Sequence, residues 1–122
     1  MENKFSPNIK SEVEDILKNL DFWNNYFSIN LEFYFDGWAI FLKEKNLYPR
    51  CIVIFKSYNI NLFSIKSFEV HLNNYKEEKF KEIYSVENIN NKNFLFKELK
   101  EIIYGKDILN DASKIYRNRF LR

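Results

Sequence analysis

Apolar and polar positions along this chain repeat with two different periods, and the switch between them divides it into elements. Over residues 8–20, Ile9, Val13, Ile16, Leu17 and Leu20 fall at helical spacing on one face, opposite Ser11, Glu14, Asp15 and Lys18. Ser6 supplies a cap and Pro7 a first helical position, while Ser11 and Glu14 match a capping box that would start the helix later. Continued past Leu20, the helix would turn Phe22 to water. It is therefore expected to end there, with Asp21 capping a short turn through FWNNYF.

The period then becomes two. In INLEFYF (29–35), Ile29, Leu31, Phe33 and Phe35 share one face, and Asn30, Glu32 and Tyr34 the other. Asp36-Gly37 is a strong two-residue hairpin signal, because a type I′ turn needs positive φ at both central positions. The return strand WAIFLK would set Phe35 opposite Trp38, Phe33 opposite Ile40 and Leu31 opposite Leu42. Phe33, Phe35, Trp38 and Ile40 are thus expected to be buried. Tyr34 and Phe41 point to the other face, which must be covered or used.

Pro49 marks a loop over 47–50. CIVIFK (51–56) reads as a central strand, SYNIN as a turn, and LFSIKSFEVHL (62–72) as a longer strand. Residues 75–87 fit helical spacing through Tyr75, Lys79, Phe80, Ile83 and Tyr84, and fit an edge strand only in part; a helix is expected. After the loop NINNKN, residues 94–104 form an amphipathic helix closed by Gly105. A last helix, capped by Asp107, runs to about Phe120. This order predicts an α+β fold in a single domain, 1–122: an N-terminal helix, a four-stranded, mainly antiparallel sheet, and two to three C-terminal helices packed on it.

Composition narrows the class. Aromatics are 19% and hydrophobics 46% of the 122 residues, so the chain folds rather than staying disordered. Phe, Tyr, Ile, Asn and Lys dominate while Ala, Arg, Gly and Pro are scarce, the bias of an AT-rich gene. No apolar run is long enough to span a membrane, the N-terminus lacks the pattern of a signal peptide, and the single Cys51 suits a reducing compartment. A cytoplasmic protein without a membrane partner is expected. A net charge of +2 and pI near 8.5 are too mild to call for a nucleic acid.

Candidate chemistry is sparse. One His and one Cys cannot build a four-ligand His/Cys zinc site. His71 lies on a strand without a visible orienting group. Cys51 opens an apolar strand, where a thiol behaves as a small hydrophobe. Asp36, Lys66 and Glu69 hint at a metal-dependent nuclease centre, but Asp36 is accounted for by the turn and Glu69 by an outward parity. Two isolated glycines make no phosphate loop. The basic end KIYRNRFLR complements a helix dipole or could grip phosphate. No cofactor, metal or small-molecule substrate is expected, and the chain reads as a non-enzyme that acts by binding.

In size, composition and element order the chain resembles the immunity proteins encoded beside polymorphic and contact-dependent growth-inhibition toxins. The resemblance involves no motif and carries over no residue roles. It implies a tight stoichiometric complex with one cognate toxin domain. The alternative is a small phage or mobile-element protein that binds another host protein or nucleic acid. The densest combination of acid and aromatic residues, and so the expected partner-binding surface, is Glu14, Asp15, Asp21, Phe22, Trp23 and Tyr26.

Overall fold

A computed structural model describes residues 7–45, 50–72 and 75–106. Helix α1 (Pro7–Leu20) opens the fold and passes through a 3-10 turn (Asp21–Trp23) into five strands: β1 (Phe27–Phe33), β2 (Gly37–Glu44), β3 (Arg50–Ser57), β4 (Phe63–Leu72) and β5 (Glu78–Ile89). Helix α2 (Lys92–Ile103) follows. The strands form one antiparallel meander in the order β1-β2-β3-β4-β5. The α+β class and the N-terminal helix stand as the hydrophobic pattern predicts.

Both helices pack on the same side of the sheet. Val13, Ile16 and Leu20 of α1 and Leu95, Leu99 and Ile102 of α2 join Phe27, Trp38, Ile40, Leu42, Ile52, Ile54, Phe63, Ile65 and Ile89 in one core. The helical period of each helix supplies the stripe, and the period-two alternation of the strands supplies the floor. Asn91 caps α2 by accepting the Phe94 N–H at 2.8 Å. Gly105, at φ +111°, ends it with its N–H on the Ile102 carbonyl.

The sheet has five strands rather than four, because residues 75–87 do not form a helix. They supply most of β5, which pairs with β4 along its whole length. The helical spacing of Phe80, Ile83 and Tyr84 loses to two other terms. Without β5, the outer N–H and C=O groups of a ten-residue strand would be left open, and Ile83-Tyr84-Ser85-Val86 is itself a good strand former. Two register shifts, at Ser67/Phe68 and Phe63/Ile65, bulge β5. Asn88 takes a φ of 62° beside the latter, and Ile89 turns into the core. Of the expected C-terminal helices, 94–104 is α2; the one from Asp107 to Phe120 lies outside the described residues, as do Ser6 and the Pro49 loop.

The β1–β2 hairpin also departs from expectation. Phe33, not Phe35, lies opposite Trp38, and Leu31 lies opposite Ile40. The Tyr34 N–H donates to the Gly37 carbonyl at 2.7 Å, so Phe35 and Asp36 make the turn and neither takes a positive φ. Gly37 is needed elsewhere. It sits in β2 against β3, where an added Cβ would lie 2.3 Å from the Lys56 carbonyl oxygen. The two-residue slip preserves side-chain parity, so Trp38 and Ile40 stay in the core. Phe33 is 37% exposed, however, and Phe35, now at the tip, 93%.

One buried cation ties the layers together. The Arg50 guanidinium donates from Nε to Glu44 Oε1 at 3.1 Å, and from its two Nη atoms to the Ile102 and Ile103 carbonyls at 3.0 and 3.1 Å. These carbonyls belong to the last turn of α2, at the negative end of its dipole, and the Ile102 oxygen accepts from the Gly105 N–H as well as from the guanidinium. The guanidinium also lies 5.9 Å from the centre of the Phe27 ring. Glu69 stands opposite Arg50 in the β3–β4 register and is buried, so its side chain faces the helix side and not the solvent that its strand parity predicts.

Two predictions follow from this packing. Trp38→Ala should destabilise by about 3–5 kcal/mol, while Phe35→Ala should change stability by no more than about 0.5 kcal/mol; equal losses in urea unfolding would contradict the register. Arg50→Met removes the buried donors to Glu44 and to the Ile102 and Ile103 carbonyls and should cost about 3–5 kcal/mol, with early loss of amide protection in α2.

Candidate functional site

Two surfaces stand out. The first is the aromatic turn after α1. Leu20 enters the core, so the chain leaves the helix with its next rings near the surface, and the 3-10 turn fans them around Trp23. Phe22 meets Trp23 edge-on at 5.0 Å between ring centres, and Tyr26 lies at 6.4 Å. Tyr104, just past the end of α2, completes the group edge-on at 5.6 Å. Trp23 packs against the core, yet Phe22 is 74% exposed, Tyr104 69% and Tyr26 53%. Mutual packing holds the rings in place while leaving their outer faces in water. Asp21 accepts a hydrogen bond from the Asn24 amide at the border of the patch. Beyond Tyr104, Lys106 bonds both Glu98 and Glu101. These carboxylates hold its ammonium pKa above the usual value, and the Lys106 hydrogen bond holds the Glu101 carboxyl below the usual range.

Four of the six residues expected to bind a partner, Asp21, Phe22, Trp23 and Tyr26, therefore come together. Glu14 is exposed on α1. Asp15 accepts a 2.8 Å bond from Lys92, which fastens α1 to the start of α2, whereas Tyr104 lies past the other end of that helix. Asp15 thus has a structural task. Tyr104 was missed, since nothing local in the sequence links residue 104 to residue 23.

The second surface is the face of the sheet away from the helices, a concavity of about 760 Å³. Its floor is Phe41, Cys51, Val53 and Phe68, and its walls include Tyr34, Asn30 and Glu32 on one side and Phe80 on the other. Tyr34 and Phe41, the two rings left over by the hairpin pattern, both line it. Lys43 of β2 forms an ion pair with Glu78 of β5, although two strands lie between them in the sheet. The sheet must curl strongly for that reach, since neighbouring strands are ~4.8 Å apart. Lys66 is likewise paired, with Glu82 at 3.0 Å. These cations already have carboxylate partners, which disfavours the face as a phosphate track.

The residues considered for catalysis do not converge. Asp36 lies in the hairpin turn, Lys66 on the concave face and Glu69 on the helix side. His71 is exposed, with Nε2 3.2 Å from Glu69 Oε1. Among the described residues no group of three or more His, Cys, Asp or Glu side chains is placed to hold a metal ion, and no helix is long and apolar enough to cross a membrane.

Cys51 lies buried on the concave floor, and burial pushes its thiol pKa up; Lys43 lowers it and Glu78 raises it to smaller extents. Because the thiolate is the nucleophile, a raised pKa leaves less of it at pH 8. Cys51 should react with an aromatic disulfide reagent at least about tenfold more slowly in the native protein than after unfolding. Equal rates would mean an open, unperturbed thiol.

Comparison with protein-family models, with curated proteins and with solved structures finds no match to this chain.

Proposed function

We propose that this protein acts by binding, as a stoichiometric inhibitor that docks on a toxin domain in the manner of the immunity proteins it resembles. The observation that supports this most is the ring cluster around Trp23. Exposed aromatics are costly to leave in water. Here they are pre-ordered by their own packing, which lowers the entropy lost on association. Protein–protein contacts concentrate their energy in such anchors, with charges at the border setting approach and register. Asp21, not the whole acidic face of α1, is the acid suited to that task.

The concave face favours a second reading, in which the partner inserts into the sheet's open side. Its apolar floor and paired charges suit another protein's side chains better than a nucleic acid. One experiment separates the two readings. The partner is isolated by copurification and identified by mass spectrometry, and affinities are measured by calorimetry. Phe22→Ala and Tyr104→Ala should each weaken the complex about tenfold or more, with little loss of stability. Asp21→Lys should slow association, less so at high salt. Phe80→Lys, at the concave rim, should leave affinity unchanged. Loss of binding with Phe80→Lys but not with the Trp23 cluster variants would move the partner to the concave face. His71→Ala and Cys51→Ala should retain full inhibition; a stably folded variant of either that loses all activity would overturn the non-enzyme reading.

A further inference from the structure

Among the described residues, the two edges of the sheet are built differently. β5, the last strand, carries Glu78, Lys79, Lys81, Glu82 and Glu87 among its twelve residues and is broken by two register shifts. Charges and bulges are the usual devices that keep an edge from pairing with another chain. β1, the opposite edge, has the sequence FSINLEF, with one charge, no Lys, no Pro and an unbroken register against β2.

The hydrogen-bond phase of β1 shows which groups face outward. The Tyr34 N–H bonds the Gly37 carbonyl, and the Lys45 N–H bonds the Tyr26 carbonyl. In an antiparallel ladder such pairs alternate. Even-numbered residues of β1 therefore bond β2, and the N–H and C=O of Ile29 and Leu31 point away from it, beyond the edge of the sheet.

We infer that β1 pairs antiparallel with β1 of a second copy about a two-fold axis at Asn30, joining the sheets into one of ten strands. Centring on Asn30 places the axis at the middle of β1. Ile29 then faces Leu31 of the other copy as a hydrogen-bonded pair, in the phase the outward groups require. Glu32 faces Ser28, so no like charges meet, whereas centring on Glu32 would set two carboxylates opposite each other. The half-buried Ile29 and Leu31 side chains would continue the core row across the axis. Asn30, exposed and on the concave face, meets its own copy at a non-hydrogen-bonded position, where side chains approach most closely. The inference is independent of the Trp23 surface.

Self-pairing at Asn30 allows a charge-exchange test. Wild type should sediment at equilibrium as a dimer of the 15.0 kDa chain. Asn30→Lys and Asn30→Asp each set like charges against themselves only in the dimer, so each alone should raise the dimer dissociation constant roughly tenfold or more. An equimolar mixture of the two should recover the dimer. In the wild type, amide exchange at Ile29 and Leu31 should slow as protein concentration rises, while exchange in β5 does not. A wild type that stays monomeric throughout, single variants that dimerise as tightly as wild type, or Ile29 and Leu31 exchange that ignores concentration would each overturn the inference.

Discussion

Arg50 places a permanent positive charge in the layer between sheet and helix, where leaving it unpaired would cost several kcal/mol. The arrangement around it follows from that constraint. Glu44 must lie on the adjacent strand, α2 must end where its last two carbonyls can accept, and Phe27 must present its ring face. A lysine would meet these demands less well, since its three donors converge on one nitrogen, whereas the guanidinium reaches a carboxylate and two carbonyls from three separate nitrogens. The end of α2 is therefore fixed relative to β3, and Tyr104, one residue beyond that helix, is delivered to Trp23.

The same asymmetry between faces shapes the rest of the molecule. Both helices spend their apolar stripes on one side of the sheet. The other side curls, so that Lys43 can pair with Glu78 across two strands, and among the described residues neither α1 nor α2 covers it. The bulges in β5 contribute to that curvature, because an extra residue bends the strand that carries it and increases its twist.

Surface aromatics are then explained by where the curled sheet and the helix ends leave them. Phe35 projects at a hairpin tip, Phe22, Tyr26 and Tyr104 surround Trp23, and Phe80 rises at the concave rim. A protein rich in rings cannot bury all of them in a core of this size. Of those left outside, Phe22, Tyr26 and Tyr104 are grouped around Trp23.

Much of the fold was legible in the chain itself. Helical spacing in α1 and α2 and strict alternation in β1 and β2 were set by local pattern, and so was the face to which Tyr34 and Phe41 point. Local pattern also marked the acid-aromatic turn, of which Asp21, Phe22, Trp23 and Tyr26 do come together. What it could not settle were matters of partnership. Residues 75–87 carry a helical period, yet β4 needed a neighbour for its backbone. Asp36-Gly37 signals a type I′ turn, yet the close approach of β3 claimed the glycine and moved the turn back one residue. Glu69 had the parity of a surface residue until Arg50 was set opposite it, and Tyr104 joined Trp23 only because the end of α2 is held by that same guanidinium. Periodicity reports which face of an element is apolar. Which backbone edges and buried charges must be satisfied depends on segments distant in sequence, and only the assembled structure brings those together.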